Sequence, residues 1–141
     1  MLETSVDFPQ RLLPFYRGPS SGGATLVAWI AADIVGVLKG SFDSDFAQSG
    51  AFDSFNPPPA PHAFIDRVHV HESARGAGVG RALVRMYVRE AHARGCTFVG
   101  GQVDLSSDST ARRGFFEDLG FSIRSLDNFG ARPLEILHGY A

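Results

Sequence analysis

Apolar positions recur every three or four residues in VGRALVRMYVREAHAR (79–94). Val79, Leu83, Met86, Tyr87 and Ala91 form one stripe, and Arg81, Arg85 and Arg89 form the opposite one. That period predicts an amphipathic helix, with Gly95 as its stop. Elsewhere the apolar residues come in short β-branched runs. TLVAWIAA (25–32) and IVGVLKGSF (34–42), with Asp33 between them, read as a hairpin. AFIDRVHVH (63–71) is a strand candidate with Val68 and Val70 on one face. CTFVGGQVDL (96–105) reads as a strand weakened by Gly100 and Gly101, and FSIRSL and RPLEILHGY read as two closing strands. SSDSTARRGFFEDLGF places capping residues at Ser107 to Ser109 ahead of a short helix that Gly120 ends.

Two stretches fall outside these periods. Residues 1–23 are broken by Pro9, Pro14, Pro19 and the Gly22-Gly23 pair. They leave room for one short helix around FPQRLLPFYR, and so read as an abbreviated N-terminal segment ahead of one domain over 24–141. Residues 43–62, DSDFAQSGAFDSFNPPPAPH, are rich in Asp, Ser, Gly and Pro and predict a long loop. Phe46, Phe52 and Phe55 within it imply that the loop folds onto something. The expected order is β-β-loop-β-α-β-α-β-β, an α/β (α+β) mixture whose central βαβ unit is parallel and right-handed.

Composition narrows the classes. A chain of 141 residues, 44% hydrophobic, suits one packed domain. A net charge of −2 gives no general pull toward nucleic acid, so no nucleic-acid partner is expected. Cys96 is the one cysteine, which excludes an internal disulfide and fits a reducing compartment. MLETSVDFPQ does not read as a secretory signal, and no run approaches the roughly 20 apolar residues of a membrane helix, so a cytoplasmic protein without a membrane partner is expected.

The stretch RGAGVGRALV (75–84) sets three glycines on alternate positions where a strand gives way to a helix. Unpaired N–H groups and the positive end of the dipole meet in a helix's first turn, and without side chains a phosphate can sit on them. A P-loop would end in Gly-Lys-Ser/Thr, whereas Arg81 and Ala82 follow Gly80; a dinucleotide fingerprint would read G-x-G-x-x-G, whereas this stretch reads G-x-G-x-G. Arg75, Gly78 and Gly80 satisfy a third pattern, R-x-x-G-x-G.

Over about residues 24–138 the chain resembles the GNAT N-acetyltransferase family. VHVHESARGAGVGRALV is similar to the family's acetyl-CoA-binding motif, and ARRGFFEDLGF to its next helix. The resemblance implies a mixed central sheet splayed around acetyl-CoA as co-substrate, with flanking helices and no metal. The main-chain amides of Arg75, Gly76, Ala77, Gly78, Val79 and Gly80, with Arg81 beyond them, would hold the pyrophosphate. The backbone through Val68, His69 and Val70 would pair with the pantetheine arm, and the Val70 N–H would stabilise the oxyanion. Gly100 and Gly101 would suit the slot, and Ser109 would flank the arm. Phe116 would lie beside the cofactor where many members carry a tyrosine that protonates the leaving sulfur, so no general acid is assigned. A thiol ionises near pH 8.5, which makes thiolate a tolerable leaving group.

For a general base the candidates are Asp66, His69, His71 and Glu72. Asp66 shares strand parity with Val68 and Val70; its competing reading is a strand-edge carboxylate paired with Arg67. His69 and His71 point the other way, and their H-x-H spacing has no matching third metal ligand. Tyr87 reads as core, and Cys96 as a small buried hydrophobe. Asp43, Asp45 and Asp53 could draw a cationic amine under the 43–62 loop, with the three phenylalanines as its wall; a mobile acidic loop is the alternative. The function expected is acetyl transfer from acetyl-CoA to a primary amine of a small molecule, protein or peptide by direct attack. A non-catalytic acyl-CoA-binding module is the alternative. A homodimer is expected to be possible through strands at the C-terminal edge.

Overall fold

The computed structural model describes residues 23–30, 33–76, 78–103, 109–124 and 127–137. Strands β1 (Gly23–Ile30) and β2 (Asp33–Ser44) pair antiparallel, as the hairpin pattern predicts, with Asp33 already inside β2 opposite Ile30. β3 (His62–Val70) lies antiparallel to β2 and parallel to β4 (Phe98–Gln102). Helix α1 (Val79–Ala93) makes the crossover between the two parallel strands. Then come α2 (Ser109–Leu119), β5 (Ser122–Arg124), β6 (Asn128–Ala131) and α3 (Pro133–Leu137). The sheet order is β1-β2-β3-β4-β6-β5.

The end of the chain departs from the sequence reading. RPLEILHGY reads as a strand, but residues 133–137 are helical. Proline at the first helical position is pre-set for a helix, and the Glu135 carboxylate accepts from the Arg132 N–H at 2.8 Å, closing the first turn. The partner strand lies earlier, over Asn128–Ala131, after Asp127 turns the chain at φ +63. Asp127 also pairs with Arg113 of α2. The short helix expected around FPQRLLPFYR lies outside the described residues.

One face of the sheet is closed by α1. Leu26, Leu38, Ala63, Ile65 and Val99 from the strands meet Val79, Leu83, Tyr87 and Ala91, all buried, so the predicted apolar stripe is the helix's packing face. Gly95, at φ +86, ends α1 where expected, and the Cys96 N–H bonds back to Ala91 at 2.9 Å.

The 43–62 loop covers part of the opposite face. Its two short 3-10 turns, Phe46–Gln48 and Asp53–Phe55, set Phe46 and Phe52 against Phe98, with Phe55 and Phe64 packed around them. The Phe46 ring stacks on Phe52 at 4.2 Å and on His62 at 4.7 Å. His62, only 1% exposed, accepts from the Phe46 N–H at Nδ1 (2.9 Å) and bonds the Pro58 carbonyl through Nε2 (2.6 Å), which fixes the Nε2–H tautomer. Asn128 and Arg124 hold the Ala51 and Ser54 carbonyls, each at 2.7 Å.

Candidate active site

β3 runs to Val70, but its pairing with β4 stops at Ile65↔Gly101. From Asp66 onward β3 has only β2 as a neighbour, so among the described residues a gap opens on its other side. The cause is a bulge. Lys39 faces Arg67 while Gly40 faces Ile65, which leaves Asp66 as the extra residue. Bulges bend a strand and raise its twist, and β3 leaves β4 here.

The bulge also exchanges the faces of β3. Ala63 and Ile65 look into the α1 core, and beyond the bulge it is Val68 and Val70 that pack against it. The parity linking Asp66 to the valines therefore does not hold: Asp66 sits exposed at the bulge itself. Neither Asp66 nor Arg67 makes an ion pair among the described residues, so the expected pairing between them is absent there.

The end of β3 aims its main chain at the gap. The His71 N–H donates to the Val35 carbonyl of β2 at 2.8 Å. Amides alternate along a strand, so the Val70 N–H points away from β2 and into the gap. The Val70 carbonyl lies on the same side, and Arg75 Nε donates to it at 3.2 Å. Arg75 thus ties the strand's end to the turn that follows. His69 is exposed on the face away from α1, and His71 caps the Glu72–Ala74 turn, accepting from the Ser73 N–H at 3.1 Å.

The glycine turn is bare. Gly76 (φ +86) and Gly78 (φ +83) are left-handed, and a Cβ on either would meet no atom within 4 Å. Gly78 caps α1 without a side-chain bond, so the first turn of a fifteen-residue helix opens onto this space. Gly80 differs: a Cβ there would stand 3.2 Å from the Phe115 ring and 3.4 Å from Val70 Cγ2, so its hydrogen lets α2 and the end of β3 approach the helix start. Val79 is buried against Gly36. Ala77 lies outside the described residues, and Ser109 opens α2.

Three expectations change here. Phe116 belongs to the core, stacked on Phe129 at 3.8 Å, and Phe115 is the ring beside the glycine turn. The two rings are adjacent and of one residue type, so residue type gave no signal to choose between them. Gly100 and Gly101 do not make room for a ligand. A Cβ on Gly100 would stand 2.8 Å from Phe52 and 3.1 Å from Phe46, and one on Gly101 would overlap Phe129. The loop carboxylates lie at the far end of β3: Asp45 and Asp53 line a cleft of about 370 Å³ with His62 and Pro57 to Pro59. Eight residue steps along the strand, about 26 Å at 3.3 Å each, separate His62 from Val70.

Two buried acids lie near the second irregularity of the β2–β3 ladder. Tyr87 on α1 shares its hydroxyl between the Ser41 and Phe64 carbonyls, and burial pushes its phenol well above the ordinary range. Burial pushes the Cys96 thiol up to about 11, with Arg94 opposing, so Cys96 is a protonated core residue. Among the described residues no three His, Cys, Asp or Glu side chains gather as a metal site, and no helix is long and apolar enough to cross a membrane.

The sequence profile of the acetyltransferase (GNAT) family matches residues 3–121, and the chain belongs to that family. The fold is shared with a GNAT-family protein from Desulfovibrio desulfuricans (TM-score 0.61, 16% identity, covering 81% of this chain and 71% of that one). It is shared with the PaiA N-acetyltransferase from Thermoplasma acidophilum in complex with coenzyme A (TM-score 0.59, 12% identity, 79% of this chain and 61% of that one). A KacTA–DNA complex also matches (TM-score 0.62, 18% identity, 86% of this chain and 74% of that one). That last neighbour means the fold does not support the expectation that nucleic acid is excluded. No curated protein matches the chain.

Proposed function

We propose that residues 24–141 form one acetyltransferase domain that moves an acetyl group from acetyl-CoA to a primary amine by direct attack on the thioester. The observation that carries this reading is the Val70 amide, turned into the gap where β3 leaves β4 and followed at once by the bare glycine turn. The pyrophosphate fits the amides of Gly76 and of Gly78 to Arg81 at a helix N-terminus, where a Cβ on Gly76 or Gly78 would meet no atom. The pantetheine arm fits the unpaired edge of β3 from Asp66 to Val70, as an added strand.

The chemistry needs little else. The amine nitrogen adds to the thioester carbonyl carbon and the oxygen gains charge, which the Val70 N–H stabilises. The C–S bond then breaks and the pair leaves on sulfur as thiolate. Asp66, exposed at the bulge about 13 Å of strand before Val70, takes the proton that nitrogen gives up through a chain of waters.

A second reading has one observation in its favour. Phe116 is a core ring without a hydroxyl, and the Tyr87 hydroxyl is held by two carbonyls, so no described phenol reaches the gap. That suits a module that binds acyl-CoA without turning it over. Release of free thiol from acetyl-CoA, measured across a panel of amines, decides between them. Release that depends on an amine supports transfer; binding with no release on any amine supports the module.

A further inference from the structure

We propose that the face of β2 and β3 beside the gap reads an anionic group on the acceptor, a carboxylate several bonds from the reacting amine, through Lys39 and Arg67. The inference rests on the acetyl-transfer reading above and names its substrate class.

Lys39 and Arg67 are direct register partners across the antiparallel β2–β3 ladder, and both are exposed. Both side chains stand on the face away from α1. Leu38, beside Lys39, is buried in the α1 core, and a Cβ on Gly40 would meet Tyr87 of α1. Val68, beside Arg67, packs against the same core. Directly opposed cross-strand side chains sit about 5 Å apart at Cβ, and like charges in that relation destabilise a sheet. Neither cation makes an ion pair among the described residues. Lys39 is also the one lysine of the chain.

Position turns this pair, uncompensated among the described residues, into a reading device. On the face away from α1, the loop's aromatic cluster reaches Phe64, and the next positions toward Val70 are Arg67 and then exposed His69. Arg67 precedes Val70 by three residues, about 10 Å of strand. An amine at the Val70 end of the gap would therefore carry a carboxylate back over the two cations. Asp45 and Asp53, which the sequence suggests as lures for a cationic amine, face the cleft beside His62 instead.

The test compares 4-aminobutyrate with its uncharged amide as acceptors. A parallel arm compares a short peptide rich in aspartate with its asparagine counterpart. Thiol release is measured on the wild-type chain, Lys39→Gln and Arg67→Gln. The expected result is a kcat/KM at least about tenfold higher for the acid in one arm, which also names the source as free amine or peptide. Each variant should bring that ratio toward one, and coenzyme A affinity should stay the same in Lys39→Gln, which lies off the β3 edge. Equal use of acid and amide in both arms overturns the proposal, as does a ratio that neither variant moves. If no amine is acetylated, the transferase reading falls separately. Calorimetry on the coenzyme A-saturated protein then decides: binding of the acid over the amide that Lys39→Gln abolishes sustains the anion site, and its absence overturns it.

Discussion

The Tyr87 hydroxyl on α1 reaches the Phe64 carbonyl on β3 at 3.0 Å and the Ser41 carbonyl on β2 at 2.5 Å. Both carbonyls flank places where the β2–β3 register slips, so the ladder leaves them in need of a donor. Tyr87→Phe keeps the ring stacked on Phe42 but removes the donor. The variant should lose about 1–3 kcal/mol in urea unfolding. It should also bind coenzyme A more weakly, because the bulge beside Phe64 sets the edge of the gap. An unchanged urea midpoint would show that the hydroxyl is not what satisfies these carbonyls.

Alkali should unfold the protein through Cys96 and Tyr87. Burial raises the Cys96 thiol from 9.0 to about 11 and raises the Tyr87 phenol as well. Each group holds its proton more tightly in the fold, so the unfolded chain ionises first. The stability this confers is complete below about pH 9 and is lost as pH climbs from 9 toward 11. The urea midpoint should fall across that interval, and less steeply in Cys96→Ala. A parallel fall in wild type and variant would remove the thiol from the account.

Gly78 tests the phosphate turn. A Cβ there meets no atom, so Gly78→Ala costs only the left-handed backbone, roughly 1–2 kcal/mol. Calorimetry should show coenzyme A binding weakened by about tenfold or more, with the fold retained. Wild-type affinity in this variant would move the pyrophosphate off the turn.

His62 anchors the 43–62 loop through both ring nitrogens. His62→Ala leaves the Phe46 amide and the Pro58 carbonyl without that partner and empties a buried volume, at about 2–4 kcal/mol. Hydrogen exchange at the Phe46 amide should accelerate more than at the α1 amides. Equal acceleration everywhere would mean that the loop is part of the global core.

Asp66→Asn keeps the size of the side chain at the bulge and removes its basicity. The rate on the best amine should fall by roughly a hundredfold, with coenzyme A affinity unchanged. A wild-type rate would leave Asp66 as a surface carboxylate.

What the sequence determined by itself is local and periodic. The 3.6 repeat from Val79 to Ala91 located α1 and its buried stripe, and Gly95 marked its end, because a helix repeats one environment at every turn. The R-x-x-G-x-G pattern located the open turn, since bare left-handed backbone can be provided only by glycine in quantity. The three loop phenylalanines correctly implied a folded loop. Only the tertiary structure decided where the alternation of β3 breaks. One extra residue at Asp66 reverses every face beyond it, and the bulge depends on pairing with β2, nearly thirty positions earlier in the chain. The same dependence on distant partners gave Gly100 and Gly101 to the rings of Phe52 and Phe129, set Phe115 in place of Phe116 beside the turn, and stood Lys39 opposite Arg67. None of these relations is periodic, so no window of sequence contains them.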